Sequence, residues 1–227
     1  MGDPGLLDRE VENVVTDSRE AAEGSLFVAI PGERVDGHRF IPDVFGKGAL
    51  AVLSERELDH ADGPYIIVES GLMAIRKMAA WYRQTLTIPV VGITGSVGKT
   101  STKEMIASVL EQKFNVLKTE GNFNNLLGMP MTLLKIREQH EVAVIEMGIS
   151  EFGEMHQLAE IARPDICVIT NIGQAHLENL KTRDGILKAK SEIFDFLKED
   201  GVIVLNGGVI SSQRSERSAG SCRSGFR

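Results

Sequence analysis

From residue 90 onward, short and almost wholly apolar runs alternate with helix-length segments, and this constrains the fold more than any other feature of the chain. Residues 90–94, 142–145, 166–170 and 202–205 read as strands, with 115–118 a shorter one. Residues 99–113, 126–136, 153–162 and 184–197 read as the intervening helices, the second bent or shortened by Pro130. Strands apolar on both sides must be covered on both faces, so this half predicts a parallel sheet between helices.

The first part of the chain is organised differently. Residues 26–30, 49–53 and 65–68 are strand-length apolar runs, 40–47 a short helix, and 72–84 a helix with Leu72, Ile75, Met78, Ala79 and Tyr82 at helical spacing. Pro89 follows and suggests a boundary, so a small α/β domain over 1–85 and a larger one over 86–206 are expected. Residues 207–227 hold six serines, four arginines and four glycines with little that is apolar, which predicts a disordered tail.

Charge and composition narrow the function classes. A formal charge of −7 leaves no basic excess to neutralise phosphates, which argues against a nucleic-acid binder. No apolar run approaches the roughly 20 residues that span a bilayer, and the first residues lack the pattern of a signal peptide. Two cysteines, Cys167 and Cys222, cannot build a disulfide framework or a metal site alone. A cytoplasmic protein without membrane insertion is expected.

The strand at 90–94 runs through Gly95-Ser96-Val97-Gly98 into Lys99-Thr100-Ser101 at a helix start. Glycines let backbone N–H groups close around phosphate oxygens, and a helix N-terminus adds partial positive charge. Lys99 is placed to reach the outer phosphates, and the Thr100 hydroxyl to ligate Mg²⁺. The general phosphate-loop pattern is not met, because its first glycine falls on Ile93; the form here is T-G-S-x-G-K-T.

In an open parallel sheet, ligands gather beyond the carboxyl ends of the strands. Glu146 ends one strand, His176 lies in the loop after another, and Asn122 and Asn125 follow the short strand at 115–118. Lys190 is a different kind of signal. It sits within the apolar stripe Ile186, Leu187, Ile193, Phe194 and Leu197, whereas Lys188 points the other way. An inward ammonium is costly unless paired or chemically altered; the alternative is a lysine that snorkels to the surface.

Five segments together resemble the Mur ligase family: T-G-S-V-G-K-T-S at 94–101, G-N-F-N-N-L-L-G-M-P at 121–130, E-M-G at 146–148, N-I-G-Q-A-H-L-E at 171–178 and K-A-K-S-E-I-F at 188–194. The second and fifth favour the MurF branch, and the segments 16–19 and 30–38 look like the family's N-terminal substrate domain. The resemblance implies a bacterial, cytoplasmic, monomeric ATP-dependent amide ligase. It would join D-alanyl-D-alanine to UDP-N-acetylmuramoyl-tripeptide through an acyl phosphate, using ATP and Mg²⁺. It further implies that Thr94, Gly95, Ser96, Val97, Gly98, Lys99, Thr100, Ser101 and Asn122 line the ATP site. Thr100, Glu146, His176 and a carbamoylated Lys190 would hold metal, with Lys99, Glu146, His176 and Lys190 catalytic. Ser18 and Arg34 would contact the UDP-sugar.

The family's third domain has no counterpart here, the N-terminus lacks the family's usual first strand and helix, and the family pattern stops near residue 207, which implies an incomplete ligase. The alternatives are a fragment that at most binds ATP, another Mur ligase or a folylpolyglutamate synthase-like amide ligase, and a different phosphate-loop protein. A GTPase is disfavoured because no N-K-x-D segment is present. Whether the tripeptide ends in lysine or diaminopimelate stays open.

Overall fold

The structure, a computed structural model, describes Gly5 and residues 8–32, 35–173 and 177–207, with only the backbone of Leu177 and Glu178. The readings placed on Arg34, His176 and the tail beyond Gly207 lie outside the described residues. The chain forms two parallel sheets flanked by helices, the α/β class expected.

In the first sheet β1 (Asn13–Val15), β2 (Ser25–Val28), β3 (Ala51–Ser54) and β4 (Tyr65–Ile67) lie side by side in chain order. Phe27 and Val52 face α1 (Ile41–Gly46), where Ile41 and Val44 are buried with them. Leu26, Val28, Ala51 and Leu53 face the other way, onto Ile75 of α2 (Gly71–Thr85). Strand β1 was not anticipated: its run Asn13-Val14-Val15 holds only two apolar residues between polar neighbours.

In the second sheet β5 (Val90–Thr94), β6 (Val116–Lys118), β7 (Val142–Glu146), β8 (Ile166–Ile169) and β9 (Val202–Leu205) take the order β6-β7-β5-β8-β9. Alternate side chains serve two cores. Val91, Ile93, Val142, Val144 and Val168 pack with Ala107 of α3 (Lys99–Leu110) on one face. Val90, Ala143, Ile145, Cys167 and Ile169 face the opposite core. That core is completed by α4 (Gly128–Leu133), α5 (Glu154–Ala162) and α7 (Arg183–Ser191). Helix α2 also reaches it: Ile75 packs on the first sheet, whereas Ala79 lies in the core of the second.

Several elements depart from expectation. Helix α4 is shorter than 126–136; Pro130 sits in its first turn, where a missing N–H costs nothing. The segment 184–197 is one α-helix only to Ser191 and continues as a 3-10 turn at Glu192–Phe194. A short helix, α6 (Leu177–Leu180), occupies part of what read as loop. Strand β9 is not buried on both faces: it is the edge strand, and Val202, Ile203 and Val204 are 51%, 48% and 43% exposed.

Candidate active site

The phosphate loop stands where β5 hands over to α3. Gly95 has φ +150° and Gly98 φ +80°, conformations that favour glycine. A Cβ on Gly95 would lie 2.0 Å from Thr170 Oγ1, so no larger residue fits. No side chain caps the α3 N-terminus, which leaves its first N–H groups available to an anion. Lys99 Nζ donates to the Gly95 carbonyl at 3.1 Å, folding the lysine back over the loop.

The segment after β8 pins this loop. Asn171 accepts from Ser96 N–H through its carbonyl (3.1 Å) and from Val97 N–H through Oδ1 (3.0 Å). Thr170 donates its hydroxyl to the Val97 carbonyl at 2.7 Å, and Gly173 N–H donates to Ser96 Oγ at 2.9 Å. Thr94 is fully buried, and its Oγ1 has no hydrogen-bond partner among the described residues. Ser101 is exposed on the first turn of α3.

Glu146 closes β7 with only 2% of its surface exposed. Its Oε2 accepts from the Thr100 hydroxyl at 2.9 Å and its Oε1 from Asn124 Nδ2 at 2.8 Å. Both donors are neutral, and among the described residues no lysine, arginine or histidine pairs with this carboxylate. A buried anion without a cation is costly. The donor set, a carboxylate beside a hydroxyl, is one that a hard oxygen-seeking dication such as Mg²⁺ takes, with phosphate oxygens completing its shell. The residues present therefore fit the metal. Among the described residues no cluster of three or more His, Cys, Asp or Glu side chains forms a separate metal site.

Lys190 is 1% exposed, on the buried side of α7, and does not snorkel. No acceptor for its Nζ is found among the described residues. Burial, reinforced by the nearby Lys99 cation, pulls its pKa down to about 8.

The structure thus brings Thr94–Ser101 and Glu146 to one sheet edge, with Lys190 close enough to feel the charge of Lys99. Asn122 is exposed, and the hydrogen bond at its carbonyl comes from Asn124 N–H at 2.7 Å. Asn125 accepts from Leu127 and Gly128 N–H at 3.1 and 2.8 Å and so starts α4. Ser18 is 8% exposed in the first-sheet region, its carbonyl accepting from Lys47 Nζ at 2.7 Å. Sequence reasoning missed Asn124 and also Thr119, whose Oγ1 accepts from the backbone N–H of Glu146 at 2.9 Å. The G-N-F-N-N run signalled an asparagine-rich turn, but no periodicity says which asparagine reaches the carboxylate.

A family model described as the Mur ligase family, catalytic domain, matches residues 10–90, and one described as the Mur ligase middle domain matches residues 93–221. The UDP-N-acetylmuramoyl-tripeptide–D-alanyl-D-alanine ligase of Bacillus subtilis is 43% identical over 209 residues, 91% of this chain and 46% of that protein. A crystal structure of MurF from Acinetobacter baumannii superposes with a TM-score of 0.82 at 37% identity, over 90% of this chain and 47% of that one. MurF of Thermotoga maritima in complex with ADP gives 0.82 at 38% identity, over 95% and 49%. The chain spans about half the length of the relatives it matches. Phosphate loop, sheet order and a middle-domain match across more than half its residues agree, and the chain belongs to the Mur ligase family.

Proposed function

We propose that the chain is the UDP-sugar- and ATP-binding portion of a MurF-type ligase, which joins D-alanyl-D-alanine to UDP-N-acetylmuramoyl-tripeptide through an acyl phosphate. Residues 1–85 serve the UDP-sugar, with Ser18 and Arg34 contacting it, and residues 86–206 serve ATP. The observation that carries this reading is the Thr100 hydroxyl bonded to the buried Glu146, which no cation among the described residues pairs with, beside an uncapped, glycine-lined helix N-terminus. The ADP bound by the Thermotoga maritima relative supports a nucleotide at this loop. No described helix is long and apolar enough to cross a membrane; a monomer in the bacterial cytoplasm is the accompanying proposal.

The roles follow from chemistry. Backbone N–H groups of Gly95–Ser101 and the α3 N-terminus hold the phosphates, while Asn122 lines the nucleotide and the buried Thr94 leads into the loop from beneath. Lys99 leaves the Gly95 carbonyl for the outer phosphates and offsets charge on the transferring oxygens. Thr100 and Glu146 would hold a first Mg²⁺ and His176 would serve a second, and the metal would supply positive charge to offset that of the transferring phosphoryl group. The Lys190 ammonium would first release a proton; the neutral amine would then attack the carbon of CO₂, the N–C bond forming as one C=O π pair moves onto oxygen and a second proton leaves to solvent, so that a carbamate anion replaces the buried cation. That change turns the repulsion from Lys99 into attraction and creates a further oxygen ligand.

Calorimetry with ATP and Mg²⁺ on the chain and on Lys99→Ala tests the nucleotide site. Binding lost in the variant is expected; no Mg²⁺-dependent binding by the unaltered chain sinks the reading. Phosphate release stimulated by UDP-N-acetylmuramoyl-tripeptide tests the acyl phosphate step. ATP binding without such release would favour a portion that only holds the nucleotide.

A further inference from the structure

Lys103 is among the largest fully buried side chains of the molecule, 1% exposed, and none of the roles above accounts for it. It lies three residues after Thr100 on α3, hence on the same side of the helix. Its Nζ donates to the Thr119 carbonyl at 2.6 Å and pairs with Glu104 Oε1 at 3.0 Å. Thr119, just beyond β6, is itself fully buried. Its Oγ1 accepts from the backbone N–H of Glu146 at 2.9 Å, and its own N–H donates to the Val144 carbonyl at 3.1 Å. Glu146 is therefore gripped twice from α3. Thr100 holds the carboxylate directly, and Lys103 holds the threonine that holds its backbone.

We infer that Lys103 and Thr119 are positioning residues that aim the Glu146 carboxylate at the metal carried with the nucleotide. This rests on the proposed metal role of Thr100 and Glu146. The argument is one of economy. A lysine needed only to join α3 to the sheet could be replaced by an apolar residue, as its neighbours Ile106 and Ala107 in the same interface show. An ammonium is costly to bury and is retained where its directional bonds matter. Here one of them ends on Thr119, which in turn holds the backbone of the residue whose carboxylate has, among the described residues, neutral donors alone. Angular freedom at a metal ligand lowers affinity even when the ligand itself is intact.

The test measures ADP affinity by calorimetry with and without Mg²⁺, and Mn²⁺ binding in the presence of ADP by electron paramagnetic resonance. It uses the full chain, Thr119→Val, Thr119→Ser and Lys103→Met. Thr119→Val removes the acceptor at nearly constant volume, and Thr119→Ser restores it. The gain in ADP affinity on adding Mg²⁺, and Mn²⁺ affinity, should fall about 10-fold to 100-fold in Thr119→Val and Lys103→Met. Metal-free ADP affinity should stay within about twofold, and Thr119→Ser should recover most of the loss. A folded Thr119→Val that keeps the full metal-dependent gain overturns the inference, even if Lys103→Met fails to fold. A loss that Thr119→Ser does not restore overturns it too, because the hydroxyl is then not the link. If the unaltered chain binds ADP with no gain from Mg²⁺, the underlying metal reading fails and the inference falls with it.

Discussion

Arg83, at the amino end of the second sheet, and Lys190, near its carboxyl end, are 5% and 1% exposed, yet their surroundings are opposite. The Arg83 guanidinium donates to the carbonyls of Ala162, Leu86 and Arg163 and pairs with Asp165 at 2.9 Å. Asp165 in turn accepts from Val90 N–H at the first residue of β5. Lys190 has no acceptor among the described residues, and Lys99 adds repulsion. Glu146, at the carboxyl end as well, has only neutral donors among the described residues. A buried charge with its bonding capacity filled locks elements together; one left unfilled costs stability, which marks the end of the sheet arranged for something other than its own folding.

Breaking the filled end should have the largest destabilising effect. Arg83→Met leaves Asp165 and three carbonyls short of a donor and should lower the unfolding free energy by about 3 kcal/mol in urea titration. The low end of the usual range applies because Asp165 keeps Lys198 at 2.7 Å. Burial pushes the Asp165 carboxyl up, but Lys198, the Val90 N–H and Arg83 outweigh it, so its pKa lies below the ordinary 3.8. The carboxylate's contribution is therefore complete above that ordinary value and is lost as pH falls through the lowered one. A loss in Arg83→Met below about 1 kcal/mol at pH 7 would show that the filled network is dispensable and erase the contrast.

The unfilled end should respond with the opposite sign. A shift from 10.5 to about 8 means that the folded protein binds the Lys190 proton less well than the unfolded chain. In CO₂-depleted buffer Lys190→Met should stabilise by roughly 3 kcal/mol at pH 7. The unaltered protein should close that gap as pH rises from about 8 to 10.5, where the unfolded chain still binds the proton and the folded one has released it. A variant less stable than the parent at pH 7 would mean that the fold supplies Lys190 with an acceptor.

Glu146→Gln sharpens the contrast further. It removes the charge while leaving an oxygen for the Thr100 hydroxyl, so stability should change by less than about 1 kcal/mol. The Mg²⁺-dependent part of ATP affinity, read by calorimetry, should fall at least about tenfold, equivalent to roughly 1.4 kcal/mol. Unchanged metal dependence would remove Glu146 from the metal site.

Legibility in the sequence followed the range of the interactions. The unit β5–loop–α3 was readable because its chemistry lies within a dozen residues: apolar strand, glycines where φ is positive, then Lys99 and Thr100 at a helix start. Lys190 stood out because a charge within an apolar stripe contradicts its helix, and burial there bears out the contradiction. The end of α7 at Ser191 was not readable, since the same apolar spacing continues through the 3-10 turn. Exposure of β9 was hidden too, because an apolar run looks the same at an edge as at the centre.

Local periodicity and turn chemistry, which act between residues a few positions apart, were sufficient for the α/β class, most of the elements and the phosphate loop. Partners distant in the chain were decided only when the sheet assembled in the order β6-β7-β5-β8-β9. That order sets β7 beside β5 and so brings Glu146 to Thr100 across 46 residues. It likewise carries Asn124 to the carboxylate, Thr119 to its backbone and Asp165 to Arg83. Bonds of this kind depend on register and side-chain direction at a shared edge, quantities that residue spacing along one chain does not encode.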